Sequence, residues 1–162
     1  MLKDEIKHIA KTKKVIIFFD MDGVLAEYGA GEKKLILNNE PNFYLNKRLI
    51  KTTANVVMEL SQINNVTIAI MSNCYFKEQK TDKIKWLKKH LPVFDESNIH
   101  INVLNEINIS KEEKPKLKGY EIQKYINGYS NVYLIEDQHD IIKAVNKNFE
   151  NITAHHFSML LD

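Results

Sequence analysis

The chain has 162 residues, of which 44% are hydrophobic and 27% charged. That length suits one globular domain over residues 1–162, able to bury about 68–70% of its unfolded surface. Lys and Arg number 23 against 21 Asp and Glu, a formal charge of +2, which excludes an argument for nucleic-acid binding from net charge. Arg48 is the single arginine, so no arginine cluster can grip phosphates bidentately. Cys74, also single, cannot form an internal disulfide, which fits a reducing compartment. No apolar stretch of the signal-peptide type follows Met1. The longest purely apolar run, Val15 to Phe19, falls far short of the ~20 residues a membrane helix needs. A cytoplasmic protein without a membrane partner is the expectation.

Val15–Phe19 is short, β-branched and aromatic, and reads as a buried strand of a parallel sheet. Residues 24–46 form a small insertion, and Glu27–Glu32, with two glycines, reads as a flexible flap. A helix starts near Lys47, with Ile50, Ala54, Val57 and Leu60 on one face. Val66–Met71 is a second strand of the same kind, ending at Ser72-Asn73. Ile84, Leu87 and Leu91, with Trp86 beside them, mark the next helix. Ile99–Val103 is a weaker strand. Ile122, Tyr125 and Ile126 mark a further helix, and Asn131–Ile135 a strand that ends at Glu136-Asp137. Ile141, Ile142 and Val145 mark the last helix, and Asn151–Phe157 an edge strand. Strands alternating with helices predict parallel pairing and a three-layer, Rossmann-like α/β fold. Ligands of such sheets sit beyond the carboxyl ends of the strands.

Three strands end there in polar pairs: Asp20-Met21-Asp22, Ser72-Asn73 and Glu136-Asp137. Taken alone, Asp-x-Asp is a polar strand end closed by an Asx-turn. Gly23 instead lets the chain turn at once, so that both carboxylates face one pocket. Convergence with Asp137 would set like charges together, at about 4 kcal/mol per pair for ~4 Å and a dielectric of ~20. A divalent cation resolves this. An all-oxygen site of carboxylates, a main-chain carbonyl and water suits Mg²⁺, and no His/Cys spacing suggests zinc.

Phe18-Phe19-Asp20-Met21-Asp22-Gly23-Val24-Leu25-Ala26 resembles the first motif of the haloacid dehalogenase superfamily. Ser72 matches its second motif, and Glu136-Asp137 its acidic fourth. Its third motif is a lysine near the start of the helix before that strand. Lys118 is the first choice and Lys114 the alternative. Glu40-Pro41-Asn42-Phe43-Tyr44, the helix Lys83–Leu91 with Trp86, and Leu134-Ile135-Glu136-Asp137 resemble segments of the 5'(3')-deoxyribonucleotidases. The resemblance covers roughly residues 14–145. It implies Mg²⁺-dependent hydrolysis of a phosphate monoester, with Asp20 as nucleophile and Asp22 as general acid and base. It places the metal on Asp20, the Asp22 main-chain carbonyl and Asp137, with Glu136 in the outer shell or acting through water. Ser72, Asn73 and Lys118 would bind the phosphoryl group. The expected partner is a small phosphate monoester, foremost a nucleotide, with a phosphorylated nucleic-acid end as a larger possibility. A homodimer is compatible.

Two departures qualify the resemblance. Many relatives carry an acid where Ile141 stands, and Asp140 one residue earlier reads first as a helix cap. The insertion is also too short for a helical bundle. Phe43 and Tyr44 either stack on a base or anchor the flap, with anchoring ahead. The lysines of 77–89 read as a solvated helix face, Trp86 as core, and Cys74 as no nucleophile. His155-His156 suggests no metal site, and His139 is a minor candidate for substrate contact. Rival functions are a non-catalytic nucleotide-binding module and, less fitting, a phosphoacceptor receiver domain, whose nucleophile ends an interior strand rather than the first.

Overall fold

The structure is a computed structural model, and it describes residues 1–161. Five parallel strands form one sheet: β1 (Val15–Phe19), β2 (Val66–Cys74), β3 (Ile99–Val103), β4 (Asn131–Glu136) and β5 (Thr153–His156). Their order is β3-β2-β1-β4-β5. The chain therefore builds outward from β1 in one direction and then in the other. The gap between β1 and β4 is the switch point at which such sheets bind ligands.

All five residues of β1 are buried, because the strand has neighbours on both edges and helices on both faces. Val15, Ile17 and Phe19 point to one face. They pack there with α1 (Leu2–Ile9), α3 (Lys51–Ser61) and α4 (Lys77–His90) through Leu2, Ile6, Val57, Leu60, Trp86 and Leu87. Ile16 and Phe18 point to the other face, against α5 (Leu117–Ile122) and α6 (His139–Asn148) through Ile122, Ile141 and Val145. Each large apolar side chain buried this way contributes about 1.5–3 kcal/mol. The two cores make the predicted three-layer α/β fold.

Helix α1 is not evident from the sequence reading. Leu2 and Ile6, one turn apart, bury its inner face, and Glu5 accepts a 2.9 Å hydrogen bond from the Tyr133 hydroxyl. The helix predicted from Lys47 starts at Lys51. Residues 24–46 contain a 3-10 turn at Tyr44–Asn46 and one short α-helix, α2 (Glu32–Leu37), held by buried Ile36 and by the Gln79 side-chain amide, which donates to the Ile36 carbonyl at 2.7 Å. Asn39 and Asn42, at φ 51° and 61°, turn the chain back toward the core. Tyr44 is buried there, so it anchors the insertion, while Phe43 is half-buried against it.

Among the described residues no helix is long and apolar enough to cross a membrane.

Candidate active site

The carboxyl ends of β1 and β4 lie side by side. The Asp20 N–H donates to the Ile135 carbonyl at 2.9 Å, the last link between the strands before the chain turns. The Met21 carbonyl accepts from the N–H groups of Leu25 and Ala26 at 2.8 and 2.9 Å, closing a tight loop. Gly23 makes the loop possible in two ways. Its φ is +76°, and a Cβ there would lie 2.2 Å from Asp137 Oδ2. The first loop and the fourth strand's acidic end are thus packed against a bare backbone position.

Asp20, Glu136 and Asp137 each present a carboxylate oxygen within 4.8 Å of the others. Asp20 is 3% exposed and Glu136 fully buried. Lys118, in the first turn of α5, places its ammonium 2.8 Å from Asp20 Oδ1 and 2.5 Å from Glu136 Oε2. Gly119 beside it lets α5 sit against the Phe149 ring, which a Cβ would meet at 2.3 Å. Lys114 is exposed and lies near the Tyr75 hydroxyl instead. Of the two candidate lysines, Lys118 is the one that lies beside Asp20.

The second Glu136 oxygen, Oε1, accepts the N–H groups of Asp137 and Gln138 at 2.9 and 3.2 Å and fixes the turn into α6. That corrects the reading of Asp140. It lies in the first turn of α6, with Gln138 at the cap position and no side-chain cap bond. The preceding Glu136 does the capping work of a turn acid from the strand side.

Burial drives the titration of the cluster. It raises the Asp20 carboxyl to about 6, reinforced by the Glu136 charge and opposed by Lys118 and Lys83. Burial also raises Glu136 against the pull of Lys118, and raises Asp137 with help from the Asp20 charge. Burial works against the Lys118 ammonium, but Asp20 and Glu136 outweigh it and raise its pKa. Asp137 Oδ1 is buried with no hydrogen-bond partner. An orphaned carboxylate oxygen, two more carboxylates in reach and an all-oxygen donor set fit a hard divalent cation.

Asp22, two residues on, faces different company. Lys83 Nζ donates to its Oδ2 at 2.6 Å. Lys47 Nζ lies 3.1 Å from its Oδ1, an ion-pair contact rather than an aligned hydrogen bond. Burial alone would raise the Asp22 pKa, but these two ammonium groups lower it and hold the carboxylate ionised. Lys83 also donates to Ser72 Oγ at 3.0 Å and to the Asn73 carbonyl at 2.8 Å, which ties the end of β2 to the loop after β1. The Asn73 side chain turns away to β3 and accepts from Asn102 at 2.9 Å. Of the residues expected from sequence, Asp20, Asp137, Glu136 and Lys118 meet in one cluster, and Asp22 and Ser72 meet through Lys83. Asn73 joins by its main chain.

Lys83 and Lys47 are the residues the sequence reading missed. Lys83 is fully buried in the middle of α4, the helix whose lysines read as a solvated face. Trp86, read as core, is buried beside it, and its indole N–H donates to the Lys47 carbonyl at 2.9 Å. Cys74 is buried, and burial pushes its thiol up to about 11, so it stays a thiol as expected. His139 stacks on His156 with ring centres 5.3 Å apart. Two clefts, of about 490 Å³ around residues 126–132 and about 830 Å³ around residues 45–52, contain none of the clustered carboxylates.

No protein-family model matches the chain, and no curated protein matches it in sequence. Solved structures do. One is a Burkholderia xenovorans protein described as a haloacid dehalogenase-like hydrolase, 13% identical, covering 88% of this chain and 81% of its own, at a TM-score of 0.55. The chain has the haloacid dehalogenase-like fold. The HAD domain of the Legionella pneumophila effector protein Lem4 is also similar. Its inactive mutant is 15% identical, covering 89% of this chain and 85% of its own, at a TM-score of 0.50. At such identities the likeness speaks for the haloacid dehalogenase-like fold, and the chemistry rests on this chain's own residues.

Proposed function

We propose that the protein is a Mg²⁺-dependent phosphatase that hydrolyses a phosphate monoester, foremost a 5'- or 3'-(deoxy)ribonucleotide. The observation that carries this is the convergence of Asp20, Asp137, Glu136 and Lys118 at the switch point, with Asp22 two residues beyond Asp20. The haloacid dehalogenase-like fold and the motif resemblance support the same reading.

In this reading Asp20 Oδ attacks phosphorus in line. The bond from phosphorus to the leaving oxygen breaks, and an aspartyl-phosphate forms. Asp22 gives its proton to the leaving oxygen, then takes one from the water that hydrolyses the intermediate and restores Asp20. Asp20, the Asp22 main-chain carbonyl and Asp137 would hold the Mg²⁺, which supplies charge neutralisation for the phosphoryl group when bound. Glu136 orients Lys118 and the turn into α6. A phosphate dianion and the Asp20 carboxylate repel by roughly 8 kcal/mol, counted as two like-charge pairs. Lys118 and Lys83 answer that repulsion from the protein side. The arriving dianion draws Lys83 from Asp22 to the phosphoryl oxygens beside Ser72. Relieved of that counter-charge and facing the dianion, Asp22 takes up a proton from solvent water as the substrate binds, and that is the proton its acid role passes to the leaving oxygen. The half-exposed Tyr28 and the Phe43 ring, near Lys47, offer faces on which a base can rest.

The test is phosphate release, with Mg²⁺, from nucleoside 5'- and 3'-monophosphates, an aryl phosphate and a 5'-phosphorylated oligonucleotide. Release that stops with EDTA and in Asp20→Asn supports the reading and ranks the substrates. Full turnover in Asp20→Asn removes the assigned nucleophile. Silence on every substrate, with nucleotides still raising the melting temperature, moves the function to a binding module.

A further inference from the structure

Lys47 is a buried cation with more counter-charge than Asp22 needs. Its side chain is 3% exposed. Its ammonium contacts the Glu27 carbonyl at 2.9 Å, Glu32 Oε2 at 3.1 Å and Asp22 Oδ1 at 3.1 Å. The rings of Tyr28, Phe43 and Tyr44 lie 5.1 to 5.6 Å from it. Asp22 already has Lys83 on its other oxygen. The second ammonium is balanced by Glu32, which the flap supplies.

The two sides of Asp22 differ. Lys83 sits with Ser72 and the Asn73 carbonyl, at the end of β2. Lys47 sits with Glu27, Tyr28 and Glu32, under the flap. If Ser72 and Lys83 hold the phosphoryl group, the flap side faces the part of the substrate that leaves. Glu32 is the replaceable member there. Its side chain is 25% exposed, it is the first residue of α2, and Gly31 before it has φ +87°. Moving Glu32 out would leave the desolvated Lys47 ammonium only Asp22, which Lys83 already balances, as its counter-charge at the mouth of the site.

We infer that Lys47 is a specificity-determining residue. It takes a second anionic group on the leaving part of the substrate, and the Glu32 carboxylate fills that place in the free protein. The preferred substrate is then a monoester with another phosphate or equivalent anion, of which a nucleoside 3',5'-bisphosphate is the simplest probe. The inference rests on the phosphatase reading for which side of Asp22 the leaving group occupies.

The test compares calorimetric affinity for a nucleoside 5'-monophosphate and for its 3',5'-bisphosphate, with Mg²⁺, in the full chain carrying Asp20→Asn to prevent turnover. Whatever that substitution itself alters cancels in the ratio. The bisphosphate is expected to bind about 10-fold tighter or more, the worth of one charged hydrogen bond. Glu32→Gln, a change on the flap, widens the ratio about 3-fold further, since a competing carboxylate is gone. Lys47→Met, which keeps an apolar stem among the three rings, brings the ratio to one. Trp86, bonded to the Lys47 carbonyl, gives a second reading through its emission. A ratio of one in the parent, no binding of either ligand, or a ratio that ignores both Glu32→Gln and Lys47→Met overturns the inference. These are binding ratios, so they stand or fall separately from phosphate release: release with a ratio of one sinks only the Lys47 role, and a Lys47-dependent ratio without release in the wild-type enzyme sinks only the phosphatase.

Discussion

Lys83→Met tests whether the middle of α4 belongs to the site. The wild-type ammonium is fully buried and donates three hydrogen bonds, to Asp22, Ser72 and the Asn73 carbonyl. Methionine fills a similar volume but leaves those three acceptors short of a donor. Breaking a buried ion pair costs about 3–5 kcal/mol when the remaining charge has no other partner. Here Lys47 stays beside Asp22, so the loss should fall at the lower end, about 3 kcal/mol.

Urea unfolding at pH 7 reads this directly. At slopes of roughly 1–3 kcal/mol/M, a loss of that size lowers the midpoint by about 1–3 M with the slope unchanged. Paired with Asp22→Asn, the double variant should recover part of the loss, with a coupling energy of about 2 kcal/mol, because the partners act as one unit. Phosphate release should fall at least ~100-fold, the usual effect of removing one donor aimed at developing charge. An unchanged midpoint, or single losses that add within about 0.5 kcal/mol, would refute the pairing. Full activity in the folded variant would remove Lys83 from the chemistry while leaving its structural part.

Gly23→Ala should cost at least about 1–2 kcal/mol for its left-handed backbone, and more because the new methyl displaces Asp137. Calorimetry should then show weakened Mg²⁺ binding, and an unaltered dissociation constant would show that this packing does not shape the metal site. Lys118→Met should abolish phosphate release while Lys114→Met matches wild type; the reverse result would return the third-motif lysine to position 114. The metal-free protein should carry a pH dependence from Asp20, whose folded pKa of about 6 lies above the ordinary value of 3.8. The stabilisation from its proton is complete below pH 3.8 and lost as pH rises through about 6, at most about 3 kcal/mol. His90, His100 and His155, whose pKa values burial lowers, act in the opposite sense. The measurement is therefore the difference in unfolding free energy between wild type and Asp20→Asn from pH 4.5 to 8 in EDTA, and a flat difference would mean that Asp20 is ionised throughout.

The strands were legible because a strand buried on both faces must be apolar along its whole length. Val15–Phe19 carries that signal at its observed bounds, whereas the edge strand Ile99–Val103, interrupted by His100 and Asn102, buries only Ile101 and Val103. Helix α1 was not, because only Leu2 and Ile6 mark its inner face, and the tie to Tyr133 is visible only in three dimensions. The acidic half of the site was legible for a related reason: strand ends in a parallel sheet share one edge, so their polar residues can be placed together before any coordinates exist. Of the basic half, Lys118 was marked by the motif resemblance, but Lys83 was hidden by the same rule applied too strictly. On α4 the buried residues are Gln79, Lys83, Trp86 and Leu87, one stripe at helical spacing. A search for apolar period alone follows Ile84, Leu87 and Leu91 and reads Lys83 as surface. Its place one turn before Trp86 and Leu87 was the available signal. Lys47 had no such signal, because it lies between elements and owes its burial to Tyr44, Trp86 and the flap. Both lysines are buried because Asp22 is there to receive them, and Asp22 stays ionised because they are. Neither half of that arrangement is favourable alone, so residue type cannot reveal it without the contact. The same reciprocity makes the Asp22–Lys83 cycle informative: a coupling near zero would mean that the buried charges are each accommodated by something else.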